Sequence, residues 1–332
     1  MRIALFGAGR IGRLHARLLR ATPGVDSVVI SDVDRARAAD VAAAAGIEAA
    51  ESGDAAFESA DAVVIAAATG AHPELIRASI GRRLPTFCEK PLAASLSDTI
   101  ALSDEVVRSG VPFQLGFQRR FDAAYSEVHR LVRSGELGTL YIVRLAGHDP
   151  APPPDDYIPQ SGGIFRDFSV HDFDVLRWMT GCEVEEVYAD GKVRGFPIFE
   201  RYGDVDTAVA TMRMVDGPLV VLTTARHDPL GYDIRAEVFG SKDSVAVGLG
   251  PRTPIHLLEP GAPPPAGPAW PDFLDRFEPA YAAEFRAFVD LVRHGGPSAC
   301  TARDGVEALR IAEAADRSLH EHRPVALTEI PV

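Results

Sequence analysis

Apolar residues recur in two rhythms along this chain, and the change of rhythm divides it. In the first third, short runs of apolar and β-branched residues at 3–6, 27–31, 62–67, 86–88 and 112–115 read as buried strands. Between them, stretches with apolar positions three and four apart, at 10–19, 35–45, 73–80 and 96–107, read as amphipathic helices. Strand alternating with helix predicts βαβ units and a doubly wound parallel sheet. After about Arg120 the rhythm changes. A helix at 123–133 precedes longer strand-like runs at 140–146, 207–214, 219–224, 232–239 and 244–247, with Val215-Asp216-Gly217 as a hairpin signal. This part reads as an α/β domain with a large, mostly antiparallel, open-faced sheet, closed by helices near 281–293 and 303–320. Proline-rich stretches at 151–154 and 260–271 read as surface connections.

The junction of the first strand and first helix carries Gly7-Ala8-Gly9-Arg10-Ile11-Gly12, which fits GxGxxG. Asp32 follows Gly12 by 20 positions, at the end of the second predicted strand. In such a turn Gly7 permits the tight bend, Gly9 lets the backbone approach a pyrophosphate, and Gly12 lets the helix pack on the strand. The helix N-terminus at Arg10 and Ile11 offers N–H groups and a partial positive charge. A carboxylate at position 32 accepts both adenosine ribose hydroxyls and repels a 2′-phosphate, which predicts NAD over NADP. Arg35 and Arg37 read as a solvated face of the next helix. Residues 1–120 are therefore expected to be an NAD-binding Rossmann domain, and 121–332 a substrate-binding and oligomerisation domain.

Composition narrows the partners. A chain of 332 residues exceeds what one hydrophobic core usually supports. A net charge of −13 excludes a phosphate-backbone partner, which needs a basic face. Cys88, Cys182 and Cys300 are far apart with no metal-ligand spacing, so reduced thiols, a cytoplasmic location and no metal are expected. The longest apolar run, near 62–68, is far below the roughly 20 residues that span a bilayer. Neither nucleic acid nor membrane is an expected partner.

Candidate chemistry lies in two places. Glu89-Lys90-Pro91 follows the 86–88 strand at the carboxyl edge of the sheet, where ligands bind in doubly wound folds. Farther on, Asp167 and His171 stand four apart, and His171 and Asp174 three apart, in a helical stretch that begins after Gly162-Gly163. A carboxylate beside an imidazole can orient it for proton transfer. By spacing alone, a surface lysine and a helical salt-bridge pair remain open alternatives.

Together these residues resemble the glucose–fructose oxidoreductase/inositol dehydrogenase (Gfo/Idh/MocA) family over almost the whole chain. The resemblance rests on Gly7 to Gly12, on Glu89-Lys90-Pro91 and on Gly116-Phe117-Gln118-Arg119-Arg120-Phe121-Asp122. It continues through the GG-xxx-D-xxx-H stretch, Phe277-x-x-Ala280-Tyr281-x-x-Glu284-Phe285, Asp304-Gly305 and Ala312-Glu313-Ala314. Gly231-Tyr232-Asp233 and Arg119 to Asp122 resemble the inositol 2-dehydrogenases in particular. The resemblance implies an NAD-dependent dehydrogenase moving a hydride between nicotinamide and a ring CH–OH of a polyol or sugar. Lys90, Asp167 and His171 would be the catalytic set. Asp174, Tyr232 and Arg120 would hold substrate hydroxyls. Glu89 and Gln118 would lie near the nicotinamide ribose, and Thr69 and His72 near the adenosine side. One segment departs. Gly147-His148-Asp149-Pro150 stands where those enzymes carry His-x-Asn-Pro, with Asp149 at the substrate-contacting asparagine position. An aldose or a keto-inositol is therefore an alternative substrate. A non-catalytic dinucleotide sensor is a further reading, although it would need none of Lys90, Asp167 and His171. An open-faced sheet predicts burial against another subunit, in a homodimer or, as the resemblance implies, a homotetramer.

Overall fold

The computed structural model describes residues 1–262 and 267–332, so part of the proline-rich stretch expected at 260–271 lies outside the described residues. The chain forms two compact units, Met1–Asp122 with Phe277–Val306, and Ala123–Arg276 with Glu307–Val332.

In the first unit, β1 (Arg2–Phe6), β2 (Ser27–Ser31), β3 (Glu48–Ala49), β4 (Ala62–Ile65), β5 (Thr86–Glu89) and β6 (Phe113–Gly116) form one parallel sheet in the order β3-β2-β1-β4-β5-β6. Every residue of β4 and β5 is buried, and β4 reads as an unbroken apolar run because a sheet covered by helices on both faces leaves no polar side. The strand order reverses between β1 and β4, and ligands bind doubly wound sheets outside such a reversal. The stretch 277–306, read from sequence as part of residues 121–332, packs into this unit. Phe285 and Phe288 lie 5.2 and 5.9 Å from the Phe87 ring of β5, and the Leu115 N–H of β6 donates to the Cys300 carbonyl at 2.9 Å.

The second unit holds β7 (Leu140–His148), β8 (Val184–Lys192), β9 (Thr207–Met214), β10 (Leu219–Ala225), β11 (Asp233–Gly240), β12 (Ser244–Val247) and β13 (Val325–Ala326). They form a seven-stranded sheet in the order β12-β11-β7-β10-β9-β8-β13. Only β7 and β10 run parallel; the other pairs are antiparallel. Strand β8 gave no sequence signal, because an irregularity between Val184 and Glu186 breaks its alternation and glutamates and a glycine dilute it. On β9 and β10 the residues alternate strictly. Ala208, Ala210, Met212, Val220 and Leu222 are buried, whereas Val209, Leu219 and Val221 are exposed at 48%, 61% and 40%. One face of the sheet is thus covered and the other carries open apolar positions.

Candidate active site

The Gly7 to Gly12 turn shows which glycines the fold itself requires. Gly7 has φ +108°, and a Cβ there would stand 2.4 Å from the Ala66 carbonyl oxygen after β4. A Cβ on Gly12 would stand 2.1 Å from the Gly7 oxygen. Both are closed to any side chain by the protein. Gly9 is different. Its φ of −71° suits any residue and nothing lies within 4 Å of its Cβ position, yet it begins the helix Arg10–Ala21 with no side-chain cap. Open space at an uncapped helix N-terminus fits the approach of a dinucleotide pyrophosphate.

Asp32 stands at the end of β2. Its carboxylate accepts from the Ala8 N–H at 2.7 Å, the Asp34 N–H at 2.8 Å and Arg37 Nη2 at 3.0 Å. Burial raises its proton affinity, but these donors outweigh it and hold the group below the usual carboxylate range. Arg37 is therefore not simply a solvated helix residue. The ion pair leaves Asp32 ionised beside the glycine turn, as a ribose acceptor must be.

The Glu89-Lys90-Pro91 loop is held from beneath by two histidines. His15 is fully buried on the helix Arg10–Ala21, among Phe87, Tyr281 and Phe285, and its Nε2 lies 2.6 Å from Glu89 Oε1. Sequence reading missed His15, which sits on the apolar face of its helix. His72 was expected near the adenosine. It is instead buried, with Nδ1 2.7 Å from the Pro91 carbonyl and Nε2 3.0 Å from the Ala67 carbonyl. Burial pushes its pKa down, more than the two carbonyls raise it. Held neutral, the ring donates to one of the two carbonyls and sets its other nitrogen against the second, which anchors His72 between the loop after β5 and the loop after β4. Thr69 is half-buried just before it, in the short helix Thr69–Ala71.

Gln118 is buried at the start of Gln118–Phe121, beyond β6. Arg120, expected at substrate hydroxyls, is also buried there. Its Nη1 donates to the Ala299 carbonyl at 3.0 Å and its Nη2 lies 3.0 Å from Asp304. Burial raises the Asp304 proton affinity, but Arg120 and Thr301 bring the net shift below the usual range. This pairing gives Arg120 structural partners at the end of its short helix.

The second unit gathers its own polar cluster. Asp167 lies in a π-helical turn, Phe165–Ser169, which runs into the helix Val170–Thr180 carrying half-buried His171 and fully buried Asp174. Such turns recur at functional sites. Asp167 Oδ1 accepts from the Tyr157 hydroxyl at 2.9 Å, and Oδ2 from Arg226 Nη1 at 2.9 Å. Arg226, just beyond β10, is 2% exposed and also lies 3.7 Å from Asp149. Burial disfavours its charge, but Asp167, Asp149 and Asp204 overcome that and hold it charged. Sequence reading singled out neither Tyr157 nor Arg226; the signal for Arg226 was a lone arginine closing an apolar strand. Tyr232 is buried, its N–H donating to the Trp270 carbonyl at 2.8 Å. Beside it, His148 Nδ1 lies 3.5 Å from Asp233 and 3.8 Å from Asp228, and Arg235 already neutralises Asp233 at 2.9 Å.

Residues 1–117 match the model of an oxidoreductase family with an NAD-binding Rossmann fold, and residues 125–246 match the GFO/IDH/MocA C-terminal domain. A myo-inositol dehydrogenase, Hyg17, of Streptomyces leeuwenhoekii is 42% identical over 96% of this chain and 97% of its own. The chain belongs to the GFO/IDH/MocA family. The myo-inositol 2-dehydrogenase of Thermotoga maritima is 37% identical over 99% of both chains. The crystal structure of a scyllo-inositol dehydrogenase from Lactobacillus casei, with bound NAD(H) and scyllo-inositol, superposes with a TM-score of 0.88 at 27% identity, covering 99% of this chain and 99% of that one. This GFO/IDH/MocA member is an NAD-dependent dehydrogenase, as its glycine turn and Asp32 led us to expect, and its fold is the expected Rossmann sheet plus a mostly antiparallel second sheet. Among the described residues no helix is long and apolar enough to cross a membrane.

Proposed function

We propose that the enzyme oxidises a ring CH–OH of an inositol-like cyclic polyol to the ketone. NAD, when bound, accepts the hydride from the carbinol carbon. His171 takes the hydroxyl proton as general base, a role that typically contributes about 10²- to 10⁴-fold. Asp167 orients the imidazole and balances the charge it acquires. Lys90 stabilises negative charge developing on the substrate oxygen. Gly7 to Gly12 and Asp32 would hold the dinucleotide, with Glu89, Gln118 and Thr69 along it, and Asp149, Asp174 and Tyr232 would hold the other ring hydroxyls. The observation that carries this reading is the Asp167 carboxylate, fixed on both oxygens one turn before His171. A second reading, an aldose or a keto-inositol as substrate, is favoured by the departure at Gly147 to Asp149.

The test is NAD reduction over inositol isomers and common aldoses, followed by kinetics of His171→Ala and Lys90→Ala on whichever substrate responds. Both variants should lose kcat steeply while NAD affinity changes little, and their losses should be non-additive. A near-normal kcat in His171→Ala would remove the proposed base. The exposed apolar row of Val209, Leu219 and Val221 supports a homo-oligomer, a dimer or tetramer buried through the open sheet face. A monomeric mass in light scattering at micromolar concentration would contradict this.

A further inference from the structure

Three carboxylates on three separate segments converge on one buried guanidinium. Asp149 follows β7, Asp167 lies in the π-helical turn and Asp204 precedes β9; Arg226 follows β10. Asp167 accepts from its Nη1 at 2.9 Å, and Asp149 lies 3.7 Å from the same nitrogen. Asp204 acts on it electrostatically. The Asp204 Oδ1 is engaged elsewhere, by the Ile164 and Val205 N–H groups. The guanidinium carbon stands 5.8 Å from the centre of the Phe168 ring, and the Arg226 N–H donates to the Asp206 carbonyl at 2.8 Å. A buried arginine is a poor stabilising device, because desolvation offsets most of the attraction it gains. Its worth here is geometric and electrostatic: it fixes one oxygen of the carboxylate that precedes His171 by four residues.

We propose that Arg226 is a positioning residue of the dehydrogenase, which fixes the Asp167 carboxylate and, by sharing its negative charge, tempers the basicity of His171. This rests on the reading of Asp167 and His171 as the catalytic pair. The sign follows from elementary electrostatics. A positive charge on Asp167 competes with the imidazolium for that carboxylate, and as a like charge it disfavours protonation of His171. Removing the positive charge ends that competition and repulsion, so the base holds its proton to higher pH. Tyr157 donates to the other Asp167 oxygen but carries no charge, so its loss disturbs orientation only.

The experiment is the pH dependence of kcat/KM for the full-length enzyme with the substrate that the screen identifies. It compares wild type with Arg226→Gln, Arg226→Lys and Tyr157→Phe, alongside thermal unfolding and NAD binding. Arg226→Gln should lose about 10- to 100-fold in kcat, on the scale that misplacing a catalytic group costs. Its acidic limb should move to higher pH, with NAD affinity unchanged. Arg226→Lys keeps the charge but moves the one nitrogen that reaches Asp167, so kcat should fall while the limb stays. Tyr157→Phe should lower kcat without moving the limb. A purely structural arginine would lower the unfolding temperature and the active fraction yet leave the limb where it is, and that result overturns the proposal. If Arg226→Gln does not fold, Arg226→Lys decides: a wild-type kcat there overturns it equally. Failure of the underlying reading looks different, since Asp167→Asn and His171→Ala would then retain activity themselves.

Discussion

The glycine turn allows fold and ligand binding to be separated by single methyl groups. At Gly9, alanine meets nothing within 4 Å and finds an acceptable φ of −71°. The added methyl restricts the unfolded chain, which stabilises by about 0.4–1 kcal/mol. It also places alanine at a helix N-cap, where glycine is preferred, at a cost of about 0.5–1 kcal/mol. The two nearly cancel, so the net change should be within about 0.5 kcal/mol, or about 1–2 °C for a unit of this size. The methyl would, however, point into the space left for the pyrophosphate. Loss of that approach should weaken NAD at least tenfold, or about 1.4 kcal/mol. At Gly12 the same change forces a carbon to 2.1 Å from the Gly7 oxygen, and the helix must move off the strand. That overpacking should cost about 1–3 kcal/mol or more before any ligand is present. Thermal unfolding without cofactor and calorimetric titration with NAD read the two effects apart. A Gly9→Ala protein of unchanged stability and unchanged NAD affinity would refute the placement of the pyrophosphate.

Three further outcomes test individual side chains. Asp32→Ala should weaken NAD and narrow its preference over NADP, because the ribose acceptor and the repulsive charge vanish together; equal NAD and NADP efficiencies in the wild type would contradict this. His72→Ala removes the ring's one N–H and leaves a buried carbonyl, of Pro91 or Ala67, without its donor, and should lower stability by about 1–3 kcal/mol in urea unfolding. Asp316 is pushed up to about 7, by burial first and then by Glu313 and Asp204, against Arg166 at 2.9 Å. The folded state thus keeps a proton that the unfolded chain releases near 3.8, so this contribution is full below about pH 4 and lost as pH rises to about 7. Asp316→Asn should therefore compare better with wild type at pH 8 than at pH 5, and an equal difference at both would exclude that titration.

What was legible in the sequence was what local chemistry alone determines. β1, β2 and β4 are buried on both faces, so their apolar runs could be read without knowing their neighbours, and Gly7 and Gly12 reported a turn tight enough to forbid side chains. The catalytic stretch gave its spacing but not its geometry, because the π-helical turn at Phe165–Ser169 leaves no periodic signature in five residues. Pairings across sequence were invisible. Asp167 and Arg226 are 59 residues apart, Arg120 and Ala299 are 179 apart, and nothing in either local pattern points to the other. Arg120 and His72 were expected at ligands because the family resemblance implied those roles. Their burial was not legible, and it sets His72 against the Pro91 and Ala67 carbonyls and Arg120 against the Ala299 carbonyl and Asp304.

The end of β7 shows how a one-residue difference in register becomes a difference in chemistry. A Cβ on Gly147 would lie 3.2 Å from the Phe168 ring and 3.3 Å from the Asp172 carboxylate, so the covered face of the strand has no room for a large side chain there. Successive strand residues point to opposite faces. His148 therefore cannot take the direction that a histidine at 147 would take, and it turns to Asp228 and Asp233 instead. Asp149, where the resemblance implies an asparagine, offers only acceptors and lies 3.7 Å from Arg226. The segment has thus exchanged an imidazole and an amide, both able to donate, for a glycine and a carboxylate. A polyol would still suit such a set, because every hydroxyl can donate to a carboxylate. A ring oxygen or carbonyl at that place would meet only acceptors. If Asp149 meets the substrate as proposed, the hydroxyl facing it must be free to give its proton. Selection among inositol isomers and sugars should then turn on which of them places a hydroxyl, rather than a ring oxygen, at that position.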